Sequence, residues 1–204
     1  MFITGPNVVK TVINEEVSVE ELGGAKVHAT KSGVSHFTYD TENECLMGGR
    51  KLLTYLPSNC EEKAPVIPPI EERTKQFPRI SKFLFKVSTS GKDLKKNPCE
   101  KLTSIVPDNS RVAYDVKEVI RCIADEGTFF EVQKDFAPNA VVGWARMNGQ
   151  SVGFVANQPG QMCGSLDYHA SDKVARFIRF CDCFNIPLVT LVAVPAFLPG
   201  TAQE

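Results

Sequence analysis

Several features that would assign a protein to a class are absent from this sequence. No apolar run approaches the roughly 18 residues of a membrane span, and the first residues lack the charged start and apolar core of a signal peptide. The 23 Lys and Arg nearly balance the 24 Asp and Glu, so the basic excess of a nucleic-acid binder is missing. The glycine pairs at 23–24 and 48–49 match neither a dinucleotide fingerprint nor a phosphate loop. We therefore predict a soluble protein, or a soluble piece of one, with no nucleic-acid or membrane partner.

Metal-ligand patterns are also scarce. No C-x-x-C pair occurs, and the odd number of cysteines, seven, favours reduced thiols in an intracellular compartment, most of them filling small spaces in the core. Cys181 and Cys183 lie about 200° apart around a predicted helix, so they cannot bind the same ion. His28, His36 and His169 lie in different segments, which favours surface or capping roles over a catalytic triad. We predict no metal site.

Composition divides the chain into three regions, at 1–59, 60–103 and 104–204. The middle region holds five prolines, which interrupt both helices and sheets, and we interpret it as a linker. Residues 73–96 within it carry eight Lys or Arg and one acid, which is typical of a solvated charged loop. The alternative is a contact with an acidic partner or a phosphate. Ile80–Phe85 could form a short strand there.

Two helix starts are predicted in the first region. Ser18–Glu21 and Thr41–Glu44 both have the capping-box spacing, in which Ser or Thr and a Glu three residues later satisfy each other's backbone N–H groups. A glycine pair directly after the first box predicts a short or interrupted helix, and we expect the second helix to run to Pro57. Before them, the apolar start is predicted to turn at Gly5–Pro6 and to continue briefly over Val8–Val12.

The third region has the most regular pattern. Asp115–Glu118 is predicted to begin a helix that ends at Gly127. Val141–Met147 and Ser151–Ala156 flank Asn148–Gly149, a pair that tolerates positive φ at both positions of a type I′ turn, so these segments predict a hairpin.

A helix and a strand are predicted after the hairpin, which gives the order β-β-α-β. Ser171 is expected to cap the helix, which Asn185–Pro187 ends. Apolar residues follow helical spacing at Val174, Phe177, Ile178 and Cys181. Leu188–Val194 is almost wholly apolar, as expected of a strand buried on both faces. The segments 153–159 and 192–200 each end in a proline-containing turn, which is either simple turn chemistry or a ligand site at strand ends.

Short blocks along the chain resemble one known family. They are Met1–Pro6, Glu21–Lys26, Leu56–Asn59, Ile105–Pro107, Tyr114–Ile120, Val155–Pro159, Ala170–Lys173, Ala175–Asp182 and Phe197–Glu204. In this order they are similar to the carboxyltransferase (beta) subunits of biotin-dependent acyl-CoA carboxylases, most of all to the propionyl-CoA carboxylase members. The likeness covers most of the chain outside residues 70 to 100.

The resemblance implies an α/β (α+β) fold of crotonase-like ββα units, with pieces of two such domains joined by a linker: 1–59 from the first, 60–103 as the linker and 104–204 from the second. It implies transfer of a carboxyl group from carboxybiotin to the α-carbon of a CoA thioester. Biotin would arrive on a carrier of a partner biotin carboxylase, which uses ATP and bicarbonate, and the carboxyltransferase subunits would form a homo-oligomer. The implied location is the mitochondrial matrix in a eukaryote or the cytoplasm in a bacterium.

Residue by residue, the resemblance implies two groups of site residues. The acyl-CoA side would comprise Thr4, Gly5 and Pro6. The biotin-side wall would comprise Asn157, Gln158, Pro159, Pro195, Phe197, Leu198, Pro199 and Gly200. No catalytic residue is assigned, because both glycine peptides that form the family's oxyanion holes lie outside these 204 residues. We accordingly expect the isolated piece to be inactive.

Two positions depart from the family. Ala193 stands where the family usually has Asp, which would remove a carboxylate from a buried strand end, and Ala196 replaces a Gly. An alanine at 196 would be costly if the turn required positive φ. These changes favour, as alternatives, a non-catalytic truncated paralogue or fragment that acts at most as an interaction module. A biotin-dependent acyl-CoA decarboxylase subunit is a further alternative, because it shares the motifs.

Overall fold

A computed structural model describes residues 1–68, 98–109, 112–201 and 203. The basic segment 73–96 and the candidate strand Ile80–Phe85 lie outside the described residues. The elements are α1 (Pro6–Ile13), α2 (Val19–Gly23), α3 (Ala25–Thr30), α4 (Glu42–Leu53), α5 (Pro98–Ile105), α6 (Val116–Ile123), β1 (Phe130–Val132), β2 (Ala140–Met147), β3 (Gln150–Asn157), a 3₁₀ turn (Met162–Gly164), α7 (Tyr168–Cys183) and β4 (Leu188–Leu191).

The four strands form one mixed sheet in the order β1-β2-β3-β4. β1 and β3 pair antiparallel with β2, and β4 pairs parallel with β3. The predicted hairpin is confirmed: Asn148 and Gly149 both have positive φ, at 51° and 79°, as a type I′ turn requires. The Asp125 carboxylate also accepts their backbone N–H groups at 2.9 and 2.7 Å, which fixes the turn.

Both faces of the β2–β3 hairpin are buried, each beneath a different helix. Because side chains alternate along a strand, Val142, Trp144 and Val155 point to one face, where Phe177 and Cys181 of α7 pack against them. The opposite face is covered by α6 and holds Val116, Ile120, Val141, Phe154 and Ala156. The end of β3 therefore lies between two helices.

The N-terminal region packs on the same sheet. Tyr55, just after α4, belongs to the α7-side cluster, and the ring of Phe37 stacks on Phe130 with centroids 4.8 Å apart. Arg146 of β2, only 4% exposed, donates to the carbonyls of Pro65 at 2.9 Å and Gly149 at 2.8 Å and also to that of Thr54. Residues from the first and third predicted regions thus share one core, while the division into pieces of two domains remains a prediction.

Several predicted boundaries are confirmed or shifted. Both capping boxes are present, at Ser18 and Thr41, and α2 is short, as its glycines predict. α4 ends at Leu53 rather than Pro57, and α6, capped by Asp115 as predicted, ends at Ile123 before Gly127.

Two predictions about helix positions are wrong. Val8–Val12 is helical because Pro6 occupies the first turn of α1, where its fixed φ and missing N–H suit a helix start. α5 begins at Pro98 and runs to Ile105, and the linker bounds 60–103 stay a prediction. α7 begins at Tyr168, because the Asp167 carboxylate accepts the Ala170 N–H at 2.9 Å and caps the helix ahead of Ser171.

The predictions for β4 and for the cysteines also need correction. β4 is an edge strand, paired in the described residues with β3 alone, and its side chains are half-buried or exposed rather than buried on both faces. Of the cysteines whose side chains are described, Cys181 is buried; Cys122 is half-buried and Cys45, Cys60, Cys163 and Cys183 are exposed. Most of them therefore do not fill the core.

The described segments contain neither a helix that could span a membrane nor a cluster of metal ligands. No helix there is long and apolar enough to cross a membrane. Within the same segments, no group of three or more His, Cys, Asp or Glu side chains could hold a metal ion.

Candidate functional site

The end of β3 is joined to the segment after β4 by the side chain of Asn157. Its Oδ1 accepts the Ala193 N–H at 2.7 Å, and its Nδ2 donates to the Ala193 carbonyl at 2.9 Å and to the Gly164 carbonyl at 3.3 Å. Asn157 is only 4% exposed. The structure therefore gives this predicted wall residue internal contacts: its amide binds main-chain atoms of Gly164, at the end of the 3₁₀ turn, and of Ala193, after β4.

Gln158 connects the same strand end to α6. Its Oε1 accepts the Val116 N–H at 3.1 Å, and its Nε2 donates to Asp115 Oδ1 at 2.7 Å. The Asp115 carboxylate also caps α6 by accepting the Lys117 N–H at 2.9 Å. An open cleft of about 430 Å³ lies here, lined by Ala113, Tyr114, Asp115, Lys117, Gln158, Gly160 and Gln161.

The segment after β4 lies beside Leu166. The Leu166 N–H donates to the Ala196 carbonyl at 3.1 Å, and the Leu198 N–H donates to the Leu166 carbonyl at 2.8 Å. This pairing leaves Phe197 66% exposed. Exposed or half-buried neighbours complete the surface: Pro159, Pro195, Leu198, Pro199 and Gly200.

Ala193 and Ala196, the two positions that depart from the pattern of the resembled family, are compatible with the observed backbone. Ala196 does not adopt a positive φ, so alanine brings no left-handed strain there. Ala193 is exposed, and Asn157 contacts only its backbone, so the expectation that residue 193 lies at a buried strand end is wrong. The reason is that β4 ends at Leu191, at the edge of the sheet.

Two buried polar residues that the sequence analysis did not select complete the strand-end region. Lys173 of α7 is 1% exposed, and its ammonium donates to the carbonyls of Phe136, Ala137 and Ala140 at 2.7, 3.2 and 2.7 Å. Burial lowers the pKa of this ammonium to about 8. The sequence did carry a signal: Lys173 lies on the buried face of α7 with Ala170, Phe177 and Cys181.

Asn139, the second of these residues, lies in the loop that Lys173 binds. It is 1% exposed. Its carbonyl accepts the Gln158 N–H at 2.8 Å, and its Nδ2 donates to the Ser165 carbonyl at 3.0 Å and to Asp167 Oδ1 at 3.1 Å. Asn139 therefore contacts the segments on both sides of the 3₁₀ turn.

The predicted acyl-CoA side lies at the start of α1. Gly5 is the N-cap, and its carbonyl accepts the N–H groups of Val8 and Val9 at 3.0 and 3.2 Å. Thr4 is exposed, and Pro6 is half-buried in the first turn. In the described part of the chain, the hydrogen bonds of residues 1 to 6 reach α1 to α3 and not the strand ends.

A second cleft, of about 170 Å³, lies between the segment after α3 and β1. His36, Phe37, Tyr39 and Phe130 are among its lining residues. The His36 ring is half-buried, and its Nε2 has no hydrogen-bond partner among the residues that the structure describes. Burial, assisted by the charge of Arg176, lowers the pKa of His36 below its usual value.

Comparison with known proteins assigns the family. The model of the carboxyl transferase domain matches residues 1–204, the entire chain. The chain belongs to the carboxyl transferase domain family. This membership confirms the likeness found in the sequence blocks, and the strand-end region at Asn157 and Ala193 is part of that domain.

Two curated relatives show how far the likeness extends. The chain is 48% identical, over all 204 residues, to the carboxyltransferase subunit of propionyl-CoA carboxylase from Haloferax mediterranei, and it covers 35% of that protein. It is 47% identical, again over its full length, to the alpha subunit of methylmalonyl-CoA decarboxylase from Veillonella parvula, of which it covers 36%. The chain thus spans about a third of the length of the curated relatives it matches.

A solved relative supports the fold. The hexameric transcarboxylase 12S core, solved with methylmalonyl-CoA and methylmalonic acid bound, superposes with a TM-score of 0.83 at 44% identity, over all of this chain and 35% of that one. The predicted α/β, crotonase-like class is confirmed by this match.

Proposed function

We propose that this chain is part of the carboxyltransferase component of a biotin-dependent acyl-CoA carboxylase of the propionyl-CoA type. The reaction is transfer of a carboxyl group from carboxybiotin to the α-carbon of a CoA thioester. The observation that carries this proposal is the carboxyl transferase match over every residue of the chain. The relatives named as propionyl-CoA carboxylase and transcarboxylase support it.

The biotin side of the proposed site is the exposed surface of the paired segments 157–159 and 195–200. The side chains of Asn157 and Gln158 contribute by holding main chain in place, because both are buried and hydrogen-bonded internally. Exposed apolar groups, above all Phe197, supply the surface that a ring could contact. Thr4, Gly5 and Pro6 remain our candidates for the acyl-CoA side.

The proposed partners and cofactors follow from the reaction. Biotin is delivered on a carrier by a partner biotin carboxylase, which consumes ATP and bicarbonate, and the carboxyltransferase subunits assemble with one another. The hexameric core of transcarboxylase 12S supports the assembly. The corresponding location is the mitochondrial matrix in a eukaryote, as for the mitochondrial human relative, and the cytoplasm in a bacterium.

A decarboxylase is the second candidate, because the Veillonella relative bears that name at nearly the same identity. It would run the transfer in the opposite direction, from a carboxylated acyl-CoA to biotin. Backbone strain gives no support to the non-catalytic alternative, since Ala193 and Ala196 are both accommodated by the observed backbone.

The test uses the native assembly, captured through an epitope tag on this chain. With ATP, [¹⁴C]bicarbonate and propionyl-CoA, a carboxylase incorporates acid-stable label, and avidin abolishes the incorporation. With carboxyl-labelled methylmalonyl-CoA, a decarboxylase releases labelled CO₂ without incorporating bicarbonate. Absence of both activities, in an assembly that contains the biotinylated partner, would overturn the proposal.

A further inference from the structure

We infer that Lys173 is a positioning residue of the biotin-side wall. Its ammonium fixes the loop 136–140, and this loop fixes the main chain of the two segments of the wall, 157–159 and 195–200. The link to activity rests on the proposed function, whereas the link to backbone order does not.

The first step is the contact between Lys173 and the loop. An ammonium has three N–H donors, and each has one carbonyl here, those of Phe136, Ala137 and Ala140. Ala137 has a φ of 42°, a conformation that alanine rarely adopts. The ammonium of Lys173 therefore helps to hold the loop in a conformation that is unfavourable for alanine.

Asn139 lies between Ala137 and Ala140 in this loop and connects it to the neighbouring segments. Its carbonyl holds the N–H of Gln158 at the end of β3. Its side-chain amide binds Ser165 and Asp167, the two neighbours of Leu166, at 3.0 and 3.1 Å.

Leu166 connects these residues to the segment after β4, because its backbone pairs with Ala196 and Leu198. Because Asn139 holds both neighbours of Leu166, the position of the 196–198 segment depends on the loop that Lys173 binds. Both halves of the biotin-side wall, 157–159 and 195–200, are thus connected to one ammonium.

Space filling alone does not account for a lysine at this position. Removing an ammonium from water is unfavourable unless its donors are satisfied, and the other buried residues on this face of α7 are Ala170, Phe177 and Cys181. An apolar side chain would fill the same space without that cost. What lysine adds over an apolar side chain is its hydrogen bonds to the three carbonyls.

Hydrogen exchange of the native assembly tests the backbone part. In Lys173→Met, we expect the amides of Gln158 and Leu198 to exchange at least about fivefold faster, while amides inside β2 and β3 keep their protection. Lys173→Arg should restore part of the protection, because it keeps the charge and the donors. Arg179→Met, which removes an exposed charge from the same helix, should change neither amide.

Two outcomes would overturn the inference: unchanged exchange at both amides, or an equal acceleration throughout the sheet, which would indicate general destabilisation. Should Lys173→Met not fold, Asn139→Ala tests the next step, because it removes the bonds to Ser165 and Asp167 and leaves the Lys173 contacts intact. Protection of Leu198 that is unchanged in Asn139→Ala would also overturn it.

Kinetics separate this inference from the proposed function. In an active assembly, Lys173→Met should lower kcat/KM for the biotinylated carrier about tenfold, with recovery in Lys173→Arg. The KM for the CoA thioester should change less than about twofold. An inactive wild-type assembly would count against the proposed function alone, whereas an active assembly with unchanged carrier kinetics in Lys173→Met would count against the positioning role.

Discussion

Asn157 shows at the scale of one residue how the strand-end region is held. Its amide makes three hydrogen bonds to main-chain atoms of Ala193 and Gly164. In Asn157→Ala these partly buried groups lose their partner, so we expect the free energy of unfolding to fall by about 2 kcal/mol. Urea denaturation of wild type and variant measures the change.

Gln150→Ala is the matched control for that variant, since it removes an exposed amide from the other end of β3. It should change stability by less than about 0.5 kcal/mol. Asn157→Asp keeps an acceptor for the Ala193 N–H but turns a carboxylate toward two carbonyls, so it should also destabilise. Equal stability of Asn157→Ala and wild type would refute the bridging role.

His36 makes folding sensitive to acid. Burial keeps its folded-state pKa below the ordinary histidine value of 6.5, so beneath that pH the unfolded chain binds more protons than the folded one. Stability should therefore fall as the pH drops through 6.5 toward the folded-state pKa. Thermal unfolding between about pH 7.5 and pH 5 should show a larger loss in wild type than in His36→Gln; identical losses would contradict this assignment.

At the scale of elements, α6 depends on a cap that also serves β3. Asp115 accepts from the Lys117 N–H and from Gln158 Nε2. Asp115→Ala removes both bonds, and we expect a loss of about 2 kcal/mol, since a helix cap alone contributes about 1 kcal/mol. Asp115→Asn retains an acceptor and should keep most of the stability. Differential scanning calorimetry compares the variants, and equal melting temperatures for Asp115→Ala and wild type would show that the cap is dispensable.

Elements specified by neighbouring residues were predictable from the sequence. The two capping boxes and the Asn148–Gly149 turn are local patterns with a direct structural reason, and all three are present. α1 was missed because Gly5–Pro6 was interpreted as a turn in an apolar segment, whereas Pro6 occupies the first turn of a helix. The exposure of β4 was missed because apolar composition does not distinguish a central strand from an edge strand.

At the scale of the whole molecule, Arg146 fastens the segment after α4 to the sheet. Its guanidinium binds carbonyls of Thr54, Pro65 and Gly149 and lies over the Tyr55 ring, 5.0 Å from the centroid. Arg146→Met leaves those carbonyls without this donor, so we expect a loss of about 3 kcal/mol and a Tm lower by about 6–12 °C.

Limited proteolysis should then cleave within residues 54–67 faster than in wild type. Arg121→Met is the control, because Arg121 pairs with Glu118 on the surface, where such a pair contributes less than about 1 kcal/mol. A cleavage rate unchanged in Arg146→Met would show that other contacts suffice to hold the segment.

The candidate site was only partly predictable from the sequence, because its contacts join residues that are far apart in the chain. The sequence identified both segments, 153–159 and 192–200, from their turns and from resemblance. It did not show that Asn157 binds Ala193, because that contact joins residues 36 apart in the chain. Nor did it select Lys173: its position falls on the apolar face of the helix, but lysine as a residue type is expected in solvent unless its donors are known to be satisfied.

The contacts of Asn157 and Lys173 have a consequence for how this region can evolve. Within the described residues, both side chains make hydrogen bonds only to main-chain atoms of the segments they hold. Amino acids at 193 or 196 can therefore be exchanged, and the chemistry of the surface altered, while the loops keep their course. An insertion or deletion of one residue would displace a bonded carbonyl by about 3.5 Å, beyond hydrogen-bond reach. We expect natural variation here to alter residue identity far more often than loop length.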